Sequence, residues 1–485
     1  MLHREAPGSG PAVCGKLWPV DVDLVVIGSG PSGQRAAIQA AKLGKRVAVA
    51  ERRDRLGGVS IHTGTIPSKT LRQAVLEVLA QRPLDVLDPT RVEDTEEEVL
   101  QQLMNRAARV VAAETAVVRE QFRRNHVGLL SGDACFEDDH TVRVEGIEDP
   151  VRADRVVIAV GSRPARPESV AFDDRTVIDS DGLLRLERRV PRTMTIVGGG
   201  VIGIEYASMF GALGVKVTVV DQRERVLDFL DGEIVEAFQY GLRRRNVTFR
   251  LREKVTAIEP LGGRGGRVAL ASGKEIRSET VLYAVGRQGA TDGLRLERAG
   301  LEADRRGRLS VDESYRTGVP HIFAVGDVAG GGLAATAMEQ GRIAALNAFE
   351  QPVDSLPELI PTGVYAIPEI GYSGRTEEQL TDEARPYVAG IARYSELARG
   401  LMTGEEDGML KLLVDPEDRS ILGVHAIGTS ATELVHIGQA VMAIGSGGLD
   451  FLVTVVFNYP TFAEAYKVAA LDAANQIRAM AGDNR

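Results

Sequence analysis

Cysteine is scarce: the 485 residues include only Cys14 and Cys135. Two thiols so far apart exclude a disulfide scaffold and a cysteine-based zinc or iron–sulfur centre. They fit a reducing compartment, and a cytoplasmic location is the expectation. Long apolar runs are also missing, none approaching the ~18 residues that span a bilayer, so no membrane partner is expected. Met1–Val20 mixes proline, glycine and charge without a continuous apolar stretch, so it reads as a frayed tail rather than a secretory signal. Basic residues are outnumbered, 58 Lys and Arg against 68 Asp and Glu, and the net charge of −10 argues against a nucleic-acid partner. Apolar residues at 44% and charged residues at 26% describe an ordinary folded chain, long enough for several domains.

Glycine, in contrast, is plentiful at 53 residues, above the usual ~7%. Two clusters explain part of the surplus. The apolar run Val22–Ile27 leads into Gly28-Ser29-Gly30-Pro31-Ser32-Gly33, then a helical stretch Ala36–Leu43 closed by Gly44, then a second strand Arg46–Ala50. Met194–Val197 leads in the same way into Gly198-Gly199-Gly200-Val201-Ile202-Gly203, a helix Ile204–Leu213 closed by Gly214, and the strand Lys216–Val220. Each is a strand–turn–helix–strand unit with a G-x-G-x-x-G turn. The first glycine makes the turn, the second lets a pyrophosphate approach the backbone, and the third packs helix on strand. Gly28, Gly30 and Gly33, and again Gly198, Gly200 and Gly203, are therefore expected to bind dinucleotides at helix N-termini. Glu51 and Asp221 end the second strands, where a carboxylate grips a ribose hydroxyl. Arg223 and Arg225 follow Asp221 and read either as solvated loop charges or as a site tolerant of both NAD(H) and NADP(H), whose 2′-phosphate needs a cation. Asp327, after the strand His321–Val325, reads as a turn residue or as a ribityl ligand.

Between and beyond these units, Asp94–Arg124 is charged, helical in period and free of glycine and proline, which predicts a long surface helix. Short strands are expected over 127–161 and 247–286. After Gln351, strands Gly408–Val414 and Ile421–Ile427 and helices Thr432–Ile444 and Pro460–Met480 predict a third, α+β unit. His62, His425 and His436 have no metal-ligand spacing and are expected in the core or on the surface; no metal is expected.

The segment Gly57-Gly58-Val59-Ser60-Ile61-His62-Thr63-Gly64-Thr65-Ile66-Pro67-Ser68-Lys69 resembles the one that carries the redox disulfide in dihydrolipoamide dehydrogenase and glutathione reductase. Val156–Gly161, Leu282–Arg287 and Ile322–Asp327 are similar to that family's other landmarks, in the expected order from about Asp23 to Ala474. The resemblance implies an α/β protein with two Rossmann-like domains and an α+β dimerisation domain. The FAD domain would comprise 21–165 and 290–350, the NAD(P) domain 166–289 and the interface domain 351–485. It further implies FAD contacts at Gly58, Thr65, Lys69, Ala134, Gly161, Asp327 and Ala335, and a nicotinamide nucleotide contact at Gly286.

The departures from that family concern its dithiol chemistry. Ser60 and Thr65 occupy the places of the two cysteines, and Tyr459, in Asn458-Tyr459-Pro460-Thr461, occupies the place of the acid–base histidine that pairs with Glu464. A hydroxyl forms no disulfide, and a tyrosine at pKa ~10 is a poor proton carrier near neutrality. The soluble, Si-specific NAD(P)+ transhydrogenases are similar in these departures, at His62–Lys69, Phe229-Leu230-Asp231, Pro361–Tyr365 and Phe457–Thr461, although they usually keep the first cysteine. This resemblance implies reversible hydride transfer from NADPH to NAD+ through flavin N5, with ping-pong kinetics and one nicotinamide site used twice. Lys69, paired with Glu205, would stabilise negative charge at the flavin. Tyr459 and Glu464 would reach the partner's flavin region in a homodimer or higher homo-oligomer, more as pocket-shaping groups than as chemical ones. Two alternatives remain: a diaphorase, quinone reductase or oxidase on the same fold, and a degenerate docking subunit without activity.

Overall fold

In a computed structural model of the chain, the residues described are 21–52, 55–81, 93–184, 190–405 and 407–482. The expected tail, 1–20 with Cys14, lies outside them. The strand Asp21–Ile27 is apolar at nearly every position because both its faces are buried, as in a parallel sheet covered by helices. It pairs in parallel with Val47–Glu51 on one side and Val151–Ile158 on the other, with Val26 opposite Val49 and Val157. Gly128–Ser131 extends the sheet beyond Val47–Glu51, and the antiparallel strands Thr141–Val144 and Ala134–Phe136 extend it the other way. The seventh strand, Ile322–Ala324, returns from far along the chain to pair with Val151–Ile158.

A second, five-stranded parallel sheet repeats the plan in the order Val247–Arg250, Lys216–Val220, Thr193–Val197, Thr280–Tyr283, Val177–Asp179. In both sheets the fingerprint strand lies where the strand order reverses, and its carboxyl end opens onto the crevice that such a switch point creates. A three-stranded antiparallel sheet, Val255–Pro260 with Gly266–Leu270 and Glu275–Ser278, sits beside the second unit. The chain passes between the two units through a short ribbon of Ser162–Pro164 against Arg287–Gly289. The last unit is a five-stranded antiparallel sheet, Thr362–Val364 to Val388–Arg393, covered by helices Ala431–Met442 and Glu464–Met480.

Some element limits differ from the sequence reading for physical reasons. The fingerprint helices start at Pro31 and Val201, directly after the middle glycines. Apolar periodicity detects a helix only where it packs, and the first turn of each faces the crevice. The last helix begins at Glu464 instead of Pro460, because Thr461 Oγ1 closes a turn on the Asn458 carbonyl at 2.7 Å. The charged segment forms the helix Glu93–Arg124, yet Ala107, Val118 and Phe122 on it are buried, so it is part of the packed layer over Thr65–Gln81.

Small residues bring two helices of the first unit together: Ala36, Ala37 and Ala40 of Pro31–Lys42 meet Ala344 and Ala345 of Ala334–Ala348. Any side chain at Gly341 would strike the Ser32 carbonyl. The second and last units are joined by a buried ion cluster. Lys411 Nζ, 1% exposed, lies 2.9 Å from Asp231, 3.0 Å from Glu233 and 2.8 Å from Glu377. Burial pushes this lysine down, but the three carboxylates more than reverse it, and its pKa lies above the ordinary lysine value. Replacement of Lys411 by Met leaves Asp231, also 1% exposed, as a buried charge without its cation, a change that costs about 3–5 kcal/mol. A lower calorimetric unfolding midpoint for Lys411→Met, partly restored by adding Asp231→Asn, is the expected outcome; an unchanged midpoint would show that the cluster does not hold the units together.

Candidate active site with two dinucleotide cradles and a buried Lys–Glu pair

The first cradle is built at the end of Asp21–Ile27. Gly28 has φ +103°, and a side chain there would collide with the Ala159 carbonyl, so only glycine makes this turn. Gly33 contacts Gly28 just as closely, whereas a Cβ on Gly30 would meet nothing within 4 Å. Open space beside bare backbone at a helix N-terminus suits a pyrophosphate, which the free N–H groups and the helix dipole both attract. Gly58 closes the cradle from the opposite side: a Cβ there would lie 2.9 Å from Gly30 Cα.

Glu51 is buried at the rim. Its Oε2 accepts the Ser29 N–H at 2.7 Å and the Ser29 hydroxyl at 2.5 Å, and that hydroxyl accepts the Gly57 N–H at 2.9 Å. Burial raises the Glu51 pKa above the ordinary carboxylate value, with the Ser29 bonds opposing the rise. Asp327 follows the returning strand Ile322–Ala324 and is about one-third exposed. Its carboxylate accepts the Ser162 hydroxyl and faces Arg287 Nε at 3.7 Å, while Arg287 itself donates to the Ser162 hydroxyl and carbonyl at 2.7 and 2.8 Å. Ala335 is exposed in the first turn of Ala334–Ala348, and Ala134 opens its edge strand. Gly161 heads the crossing ribbon with φ +68°. The open backbone at Gly30, closed in by Gly58, fits the pyrophosphate of an FAD dinucleotide.

The second cradle repeats the physics with different partners. Gly198, φ +112°, abuts the Ala284 carbonyl, and Gly203 packs on Gly198. A Cβ on Gly200 would find its nearest neighbour, Arg223 Nη2, 4.0 Å away. A cavity of about 190 Å³ opens here, lined by Gly200, Val201, Ile202, Tyr283, Gly286 and Arg287 among others. Asp221 is held by the Gly199 N–H at 2.6 Å, by the Arg223 N–H at 2.8 Å and by Arg223 Nε and Nη2 at 3.1 and 2.8 Å. Burial raises the Asp221 pKa, but these donors outweigh it and hold the carboxyl below its ordinary value. Arg225 takes a different place from Arg223. It turns away to pair with Glu378 of the last unit at 2.8 Å, a structural tie in place of the cofactor-tolerant site that its position beside Arg223 suggested.

Lys69, on Thr65–Gln81, reaches across to the second fingerprint helix. Its Nζ lies 2.8 and 2.6 Å from the two carboxylate oxygens of Glu205 and 5.0 Å from the Tyr365 ring centroid. Glu205 follows Ile202 by three positions and so shares its helix face. Glu205 Oε1 also accepts the Tyr365 N–H at 2.9 Å, and Ser208 Oγ, one turn on, accepts the Ile367 N–H at 2.9 Å. Ser60 lies in the short helix Gly58–His62 and Thr65 begins the next one. His62 lines a separate groove against Glu93–Arg124, His425 is buried within the last sheet and His436 is exposed.

Tyr459 is exposed, and Glu464 begins the last helix with Oε2 buried and without a hydrogen-bond partner among the described residues. Ser29, Ser162, Tyr365 and Arg287 are the polar groups that sequence reasoning missed. Ser29 and Arg287 lie inside the recognised motifs, but their roles depend on contacts with residues far along the chain. Asp139, His140 and His321 also come together, with the two imidazoles stacked 3.8 Å apart and 3° from parallel. His140 Nδ1 and His321 Nε2 face the carbonyls of Ala153 and Asp139, each at 2.8 Å.

The chain matches the pyridine nucleotide-disulphide oxidoreductase family over residues 22–341 and that family's dimerisation domain over 360–470. It is 54% identical over 466 residues to a soluble pyridine nucleotide transhydrogenase of Mycobacterium bovis, covering 95% of this chain and 98% of that one. Against a protein of the same description from Yersinia enterocolitica it is 44% identical, covering 94% and 98%. Among solved structures, the HOCl-induced flavoprotein disulfide reductase RclA of Escherichia coli superposes with a TM-score of 0.82 at 26% identity, covering 93% of this chain and 99% of that one. No helix among the described residues is long and apolar enough to cross a membrane. With its two glycine cradles, its returning first-unit strand and its dimerisation domain, the chain belongs to the pyridine nucleotide-disulphide oxidoreductase family.

Proposed function

We propose that this protein is an FAD-dependent, Si-specific NAD(P)+ transhydrogenase, moving hydride reversibly between NADPH and NAD+ without a redox disulfide. One observation carries the reading: two dinucleotide cradles and the Lys69–Glu205 pair are intact in a chain whose positions 60 and 65 are hydroxyl residues. FAD, when bound in the first cradle, supplies a two-electron carrier between nicotinamides. Gly28, Gly30, Gly33 and Gly58 would leave backbone open to its pyrophosphate, Glu51 would hold a ribose hydroxyl, and Asp327 would hold the ribityl chain. Thr65, Ala134, Gly161 and Ala335 would supply further contacts to it.

In the second cradle, Gly198, Gly200, Gly203 and Gly286 admit a nicotinamide nucleotide. Asp221 offers an acceptor to a bare 2′-hydroxyl, and Arg223 offers a cation to a 2′-phosphate. One pocket of this kind serves both nucleotides in turn, which gives ping-pong kinetics. Lys69 is the residue proposed to act at the reacting atoms. Of the three N–H donors on its ammonium, two are directed to Glu205, and the third is left to stabilise negative charge that develops beside it. Glu205 orients the lysine and, through Tyr365, ties it to the last unit.

The dimerisation domain supports a homodimer. Val456, 91% exposed, and Phe451, Tyr459 and Met480 are large side chains of this domain left exposed, which a second copy would cover. Tyr459 and Glu464 Oε2, which is buried and without a hydrogen-bond partner among the described residues, would then face the partner's flavin region. The two-cysteine composition supports a reducing, cytoplasmic setting.

Purified protein mixed with NADPH and a thio-analogue of NAD+ should develop thio-nicotinamide absorbance. Rapid quinone reduction without that transfer would favour a diaphorase. Lys69→Met should slow single-turnover hydride transfer by about 10-fold or more, with nucleotide binding little changed; an unaltered rate would remove Lys69 from the chemistry. Arg223→Gln should raise the KM for NADPH by roughly 10-fold and leave that for NADH near its starting value, as read from steady-state kinetics with each donor.

A further inference from the structure

Arg223 is held between two carboxylates, and the second belongs to a residue no motif points to. Asp221 takes Nε and Nη2, while Asp228 Oδ1 accepts from Nη1 at 2.8 Å. Three of the five guanidinium N–H groups are thereby engaged. The guanidinium also borders the nucleotide cradle, since a Cβ on Gly200 would lie 4.0 Å from Nη2.

The loop that carries Asp228 is firmly placed. Leu227 is fully buried with φ +46°, and its N–H donates to the Gly199 carbonyl at 3.2 Å. Arg225 Nη2 donates to the carbonyls of Asp228 and Leu230, both at 3.3 Å, and its Nη1 pairs with Glu378 at 2.8 Å. Gly232 makes room for that pair, because a Cβ there would stand 2.5 Å from Glu378 Oε1 and 2.8 Å from Arg225 Nη1. Asp228 is thus fixed beside Arg223 by contacts to the fingerprint turn and to the last unit.

We infer that Asp228 is a specificity-determining residue, which weakens the hold on a 2′-phosphorylated nucleotide by competing for Arg223. This inference rests on the transhydrogenase reading. A 2′-phosphate, with nearly two negative charges, must share the guanidinium with these carboxylates and lie close to the charge on Asp228. A bare 2′-hydroxyl needs only the acceptor on Asp221 and makes no demand on Nη1. Asp228 therefore penalises NADP(H) and spares NAD(H). In a pocket that has to release NADP+ before NAD+ can enter, an undiluted arginine clamp would retard exchange; Asp228 keeps the two affinities closer together.

The test is calorimetric titration of the FAD-loaded protein with 2′,5′-ADP and with 5′-AMP, which differ only in the 2′-phosphate. Asp228 is half exposed, so Asp228→Asn removes charge without opening the core. Asp228→Asn should bind 2′,5′-ADP about 3- to 10-fold more tightly than the parent and 5′-AMP within about twofold. In an Arg223→Gln background the same change should give less than about a twofold gain. An unchanged 2′,5′-ADP affinity, an equal gain for both ligands, or a gain that persists without Arg223 overturns the inference. If the parent protein binds 2′,5′-ADP and transfers hydride while Asp228→Asn is silent, only this inference falls; if the parent binds neither ligand, the transhydrogenase reading falls with it.

Discussion

A single buried carboxylate, Glu205, holds the working parts in register. It is 4% exposed, and a charge so placed is tolerated only when paired and hydrogen-bonded. Its partners come from three separate stretches of chain: its own helix on the second fingerprint, Lys69 from the segment beside the first cradle, and the Tyr365 N–H that opens the last unit. Moving any one of these would leave a buried charge or a buried donor unsatisfied. The approach of the two dinucleotide cradles is therefore fixed by electrostatics at their junction as well as by apolar packing around it.

The two cradles show how one backbone solution acquires two chemistries. In both, a glycine at positive φ turns the strand, a middle glycine leaves backbone open, and a carboxylate receives an N–H from a turn residue 22 positions before it. The neighbours of the carboxylate differ. Glu51 is bound by a serine, and burial raises its pKa; Asp221 is bound by an arginine that holds it ionised. The second cradle thus carries a cation hydrogen-bonded directly to its acid, whereas the side-chain hydrogen bond to Glu51 comes from the neutral Ser29 hydroxyl.

Against this shared scaffold, the residues that the family uses for dithiol chemistry are replaced together. Ser60 lies in the short helix Gly58–His62 and Thr65 begins the next one, and their hydroxyls cannot form a disulfide. With Tyr459 where a proton-carrying histidine would stand, neither the electron relay nor its proton relay is present. Lys69, Glu205 and both cradles, on which the proposed hydride transfer draws, are retained.

The sequence alone determined the parts that obey local rules. Continuous apolar strands, glycine turns and closing glycines are dictated by backbone sterics and burial, so both fingerprints, Glu51 and Asp221 were legible, as was the loss of the cysteines and the histidine. Lys69 and Glu205 were matched by resemblance, but their 136-residue separation means that only folding brings the ammonium to the carboxylate. Tertiary structure decided the rest. It set Arg223 against Asp221 beside Gly200 and Arg225 against Glu378, although the two lie in the same turn. It placed Ser162 and Arg287 on Asp327 and added Asp228 as a second claimant on Arg223. It also buried Lys411 among Asp231, Glu233 and Glu377. Each of these outcomes depends on which charges are brought together when distant segments lose water, and that pairing is set by the three-dimensional fold and has no counterpart in sequence spacing.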